Sequence, residues 1–174
     1  MKGLVICQQL MPAWMSGNKS VTRRLMNPQP AGIYKGVAFA DKMGPLGKII
    51  KPRYHPGETV YIKETWLDGV CKCCISYRGD FEVKKAMKWK SPRFMPEWAS
   101  RSHTLIVSVR PERVHEITEE EAKAEGVEPD RSKVNGMPPV IYSYRDSFRR
   151  LWESLHPGSW ERNDFIWRIE LEKK

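Results

Sequence analysis

Four residues within one six-residue stretch carry the reactive chemistry of this chain: Lys19, Thr22, Arg23 and Arg24, directly after Gly17-Asn18. A lysine near a hydroxyl is one of the few side-chain pairs able to do nucleophilic work without a metal or cofactor. The hydroxyl attacks, and a neutral lysine could take its proton. Arginines beside such a pair hold a phosphate or polarise a carbonyl. In a regular strand, residues three apart face opposite sides. Lys19 and Thr22 therefore converge only if Lys19 lies in the turn after Gly17, or if the strand bulges there. Thr22 and Arg24 share one strand face. Arg23 faces the other way, toward phosphate or solvent.

A second oddity lies at Glu58–Trp66. The alternation puts Thr59, Tyr61, Lys63 and Thr65 on one face and Val60, Ile62, Glu64 and Trp66 on the other. Glu64 then points inward on an apolar face, where an acid is rarely found without a purpose. An acid near Lys19 would favour the ammonium, whereas burial would favour the amine. The residues alone leave open whether Lys19 or Glu64 handles the proton. The bland alternative is a solvated basic turn and an ordinary strand threonine.

These groups need elements to hold them. Leu4–Cys7 reads as a buried strand, and Gln8–Ser16 has room for about two helical turns with Pro12 in the first. Gly17 ends that helix, and residues 20–25 start the next strand. Residues 26–57 are rich in Pro and Gly and read as loop, with a short strand near Val37-Ala38-Phe39. Ile75–Arg78 and Thr104–Arg110 read as strands. Glu112–Ile117 extends the second past Pro111 as a bent or edge strand. Thr118-Glu119-Glu120-Glu121 opens a short helix that ends at Gly126. Phe148, Leu151, Trp152 and Leu155 recur at helical spacing within 143–155, and Phe165–Leu171 closes the chain as a strand. Strands separated by short helices and long loops imply an α+β, mainly β fold, a small mixed β-barrel with short flanking helices.

The 174 residues suit one domain, 1–174, with long loops near 27–55, 67–92 and 127–141. The net charge of +9 favours nucleic acid or a nucleotide as partner. No stretch is long and apolar enough to span a membrane, and the N-terminus is too short for a secretion signal, so the expected location is cytoplasmic. The four cysteines then default to free thiols. Cys71, Cys73 and Cys74 cluster, but zinc would need a distant His55 or His103, and no metal or other cofactor is expected. There is no glycine fingerprint for a dinucleotide or a P-loop.

Gly17, Lys19, Thr22 and Arg24 spell Gly-x-Lys-x-x-Thr-x-Arg, which resembles the signature of the ASCH domain, a PUA-like β-barrel. Pro56-Gly57-Glu58, Lys63-Glu64-Thr65-Trp66, Met95–Arg101, Leu151–Ser154, Trp160 and Ile166-Trp167 resemble further blocks of phage and prophage ASCH proteins. The likeness runs from about residue 4 to residue 171. The first motif is also similar to that of shorter bacterial amidohydrolases that remove the acetyl group from N4-acetylcytidine. That resemblance implies Lys19, Thr22 and Glu64 as the catalytic set of a metal-independent amidohydrolase acting on an acylated cytosine nucleoside or related modified base. Arg23, Arg24, Trp66, Trp98 and Arg101 would border its substrate. A module that binds RNA or a modified nucleotide without turnover is the alternative, and a ribonuclease is the third reading.

Overall fold

A computed structural model describes residues 1–69, 74–80, 88–132 and 140–173. In chain order the elements are β1 (Lys2–Val5), α1 (Met11–Met15), β2 (Val21–Leu25), β3 (Gly32–Tyr34), β4 (Val37–Phe39), β5 (Ile49–Ile50), β6 (Thr59–Lys63), β7 (Trp66–Leu67), β8 (Ser76–Tyr77), β9 (His103–Arg113), α2 (Glu119–Ala124), β10 (Arg131–Ser132), β11 (Val140–Ile141), α3 (Tyr144–Leu155) and β12 (Phe165–Lys173). The fold is α+β and mainly β, as the alternating patterns imply.

The principal sheet runs β1-β6-β9-β12-β2. β1 is parallel to β6, and the other pairs are antiparallel. Among the described residues this sheet is open rather than a closed barrel: β1 and β2 form its two edges, and no backbone pairing joins them. A side chain spans the gap instead. The Arg24 guanidinium on β2 donates through Nη2 to the Val5 carbonyl on β1. Through Nη1 it donates to the Arg23 carbonyl at 3.2 Å. Filling the bonding groups of an edge strand with side chains also keeps it from pairing with another chain.

The two faces of this sheet carry different chemistry. Thr22 is opposite Ile169 and Arg24 opposite Trp167, so these four share a face. That face packs on a core of Leu4, Ile6, Met11, Trp14, Val60, Ile62, Ile106 and Ile169. Arg23, Arg168 and Glu112 lie on the other face, which α2 and α3 cover. The second core lies there, with Val114, Ile117, Ala122, Phe148, Trp152, Trp160 and Ile166. Trp152 is core, stacked on Phe148 at 5.7 Å and donating to Ser159 Oγ at 3.1 Å.

Three segments differ from the sequence expectation. The Pro- and Gly-rich stretch after β2 holds a three-stranded meander, β3-β4-β5, rather than one short strand. Its outer strands are two or three residues long, too short for alternation to be visible. β9 continues past Pro111 as expected but ends at Arg113, and Val114–Glu116 form a 3-10 turn rather than strand; β6 pairs with β9 only at His103–Leu105. Pro111 then faces β12 alone, with one side free, where a sheet tolerates a missing N–H. The 127–141 loop is pinned by a β10–β11 pair.

Candidate active site

The turn after α1 is what brings lysine and hydroxyl together. α1 ends at Met15, Ser16 caps it, and Gly17 takes a left-handed φ of 81°. Asn18 and Lys19 both donate their N–H to the Ala13 carbonyl, and Ser20 donates to Ala124. β2 begins only at Val21, so Lys19 lies in the turn and swings under the strand. Lys19 is 3% exposed. Its Nζ donates to the Val21 carbonyl at 2.7 Å, the Glu125 carbonyl at 2.8 Å and Glu125 Oε2 at 2.7 Å. An ammonium has three protons, and all three are placed.

Burial pushes the Lys19 pKa below the usual lysine range, and the Glu125 carboxylate opposes that shift. The hydrogen bonds favour the charged form. Lys19 in this arrangement is a fixed cation rather than a free amine.

The acid on Lys19 is Glu125, and not Glu64. Glu125 stands one residue beyond α2, directly before Gly126 with φ 83°. A Cβ on Gly126 would lie 2.6 Å from Ala13 Cβ and 3.1 Å from Lys19 Cβ. Only glycine lets the end of α2 approach the turn so closely.

Glu64 does point inward, at 1% exposure, as the strand pattern implies. Its partner is Arg101, in a two-pronged pair at 2.8 and 2.9 Å, and burial pushes its pKa up. Arg101 also holds Asp80 and lies 4.1 Å over the Tyr77 ring. Trp66 packs nearby with Met95 and Ala99, and meets Trp98 edge-on at 6.0 Å. Glu64, Trp66, Trp98 and Arg101 thus form their own cluster, and none of them lines the Lys19 cavity.

Arg23 differs most from its expected role. It is 2% exposed and turned toward neither phosphate nor solvent. Its guanidinium binds Glu112 at 2.8 Å, Glu121 at 2.6 Å and Glu125 at 3.3 Å. The α2 helix lays its acidic turns over that sheet face, and Arg23 neutralises them. Arg23 is a structural cation that fixes Glu125.

Lys19, Thr22, Arg24 and Glu125 line a cavity of about 50 Å³ beside the free edge of β2. Ile6, Cys7 and Leu10 form its opposite wall, and α3 with the residue after it roofs it through Phe148, Leu151, Trp152, Leu155 and His156. The site therefore occupies the gap where the sheet does not close. No hydrogen bond ties the Thr22 hydroxyl among the described residues. The space admits water or a small acyl group but no nucleoside.

A groove of about 470 Å³ adjoins it through Arg24, which lines both. That volume is ordinary for a small-molecule site. Arg24, Lys51, Arg53, Lys63 and Arg93 line the groove together with Asn27, Tyr54 and Trp167, and among the described residues no carboxylate does. None of these five cations forms an ion pair among the described residues.

Sequence reasoning missed Glu125 and His156. Glu125 sits near a run of glutamates that reads as solvated helix, and only its place before a helix-ending glycine sets it apart. Cys71 and Cys73 lie outside the described residues, and Cys74 is exposed. Among the described residues no three His, Cys, Asp or Glu side chains are grouped to hold a metal ion. No helix there is long and apolar enough to cross a membrane.

Neither protein-family models, nor curated proteins, nor solved structures yield a match to this chain.

Proposed function

We propose that this cavity and groove form the active site of a metal-independent amidohydrolase of ASCH type, on a PUA-like fold, acting on an acylated cytosine nucleoside or a related modified base. One observation carries the reading. The unpaired Thr22 hydroxyl faces a cavity of acyl-group size, flanked by the Lys19–Glu125 pair and Arg24, and a roomy basic groove opens beside it. The acyl group enters the small cavity. The nucleoside occupies the groove. Thr22 Oγ attacks the acyl carbon. The positive field of Lys19 and Arg24 stabilises the oxyanion in a site mostly closed to water. Glu125 and Arg23 hold Lys19 in place and do no chemistry themselves.

The assay is release of cytidine from N4-acetylcytidine, followed by chromatography. Turnover by the parent and loss of at least 100-fold in Thr22→Ala, with an unchanged unfolding midpoint, is the expected result. A parent that is inert at high enzyme concentration contradicts the reading.

A second reading is favoured by two observations. All three Lys19 protons are engaged, as suits a structural cation, and five unpaired cations ring the groove. Both suit a module that binds RNA or a modified nucleotide without turnover. Its mark is polynucleotide affinity that survives Thr22→Ala.

A further inference from the structure

Attack by Thr22 requires a group to take its proton, and the structure leaves few choices. Lys19 has no lone pair to offer while its three protons are donated. Both carboxylate oxygens of Glu125 are engaged, one by Lys19 and one by Arg23. Glu64 belongs to the Arg101 cluster. Cys7 is on the cavity wall, but a thiol gains no proton. His156 remains.

His156 is the residue that caps α3 at its C-terminus, and its backbone N–H donates to the Trp152 carbonyl. It has left the helical conformation, with φ −138° and ψ 72°, and its ring lies 4.5 Å from the Trp152 ring. His156 lines the same cavity as Thr22. Neither of its ring nitrogens is tied by a hydrogen bond among the described residues. A half-buried imidazole with both nitrogens uncommitted, lining one cavity with an uncommitted hydroxyl, is an acceptor and a donor without other partners among the described residues.

We infer that His156 is the general base of the site and accepts the Thr22 proton. This rests on the amidohydrolase reading. The Thr22 Oγ–H proton passes to an imidazole nitrogen as Oγ bonds to the acyl carbon and the carbonyl electron pair moves onto oxygen. The intermediate collapses by breaking the C–N4 bond, and the imidazolium returns its proton to N4. Water then attacks the acyl-threonine ester, gives a proton to His156, and that proton goes back to Thr22 Oγ as acetate leaves.

The charges around the ring suit this role. Burial first, and then Arg24 from β2, push the His156 pKa below the usual imidazole value, against Glu153 on its own helix. Lys19, which also lines the cavity, is held by Glu125. Arg23 and Cys7 complete the charged and titratable groups on its walls. His156 is therefore neutral at neutral pH and ready to accept.

The test compares the parent, His156→Gln, His156→Ala and Lys19→Ala on N4-acetylcytidine across pH 5–9. The parent is expected to lose kcat on the acid side, below the ordinary imidazole range. His156→Gln should drop kcat by 100-fold or more, with KM little changed and the acid limb gone. Added imidazole should restore part of the His156→Ala rate, which a merely structural histidine would not permit. Parent-like kcat and pH profile in His156→Gln, with Lys19→Ala inactive, would overturn the inference and leave the amidohydrolase reading standing. A parent inert on this substrate would overturn both.

Discussion

At the scale of single residues, charge placement separates structure from chemistry. Arg23 is buried among Glu112, Glu121 and Glu125, so its removal leaves acids without their cation. Arg23→Met should cost about 3–5 kcal/mol in urea unfolding, since breaking a buried pair from one side strands the other. Thr22→Ala should cost far less, because its hydroxyl holds no partner among the described residues. The titration of His156 has a sign that stability measurements can read. Its folded-state pKa lies below that of the unfolded chain, so its contribution is present above the unfolded value and fades as pH falls through the folded one. Unfolding free energy should therefore fall on acidification through that window, and His156→Gln should flatten this part of the curve. A steeper fall in the variant would contradict the assigned shift.

The residues of the local motif were readable because turn and strand geometry act over a few positions. The Gly17 turn and the inward Glu64 follow from spacing, whereas the convergence of Lys19 with Thr22 was readable only as a condition, that Lys19 lie in the turn. The partner of Lys19 was not readable, since Glu125 is 106 positions away and no local pattern marks the contact. The same holds for Arg23. Spacing places it opposite Thr22, but only the docking of α2 decides that carboxylates, and not water, cover that face.

Among the elements, the end of α2 decides the most. Gly126 combines a left-handed backbone with a close approach to Ala13 and Lys19. Gly126→Ala should destabilise the protein by about 1–3 kcal/mol from crowding alone. It should also move Glu125 off Lys19 and reduce turnover, although Gly126 itself does not line the cavity. Thermal unfolding and kcat measured on the same preparation check both effects. The capping of this helix by Thr118, whose side chain accepts from the Glu121 N–H at 3.2 Å, was legible from the sequence. Its docking against the α1 turn was not, because tertiary contacts and not propensity set it.

For the whole molecule, the open sheet and the net charge meet in one place. The gap between β1 and β2 holds the cavity, and five unpaired cations line the groove beside it. The composition foretold the excess of positive charge but not its concentration in this groove. Lys51 and Arg53 share one segment, Lys63 and Arg93 come from two others, and the three meet only in the folded chain. If the groove tracks a single-stranded backbone, log affinity should fall linearly with log salt. Arg53→Gln combined with Arg93→Gln should make that slope shallower, by about 0.7 for each phosphate no longer neutralised. An unchanged slope would remove the groove from backbone binding. The mainly β fold itself followed from alternating segments, whereas the missing closure between edge strands lay beyond any pattern of residues.

Mass spectrometry of protein quenched during turnover of N4-acetylcytidine asks directly whether Thr22 is the nucleophile. The expected result is an acetyl group on the peptide that contains Thr22 in the parent, and none in Thr22→Ala. Turnover with the acetyl group on Cys7, or with no acyl-protein trapped in any variant, would contradict nucleophilic attack by Thr22.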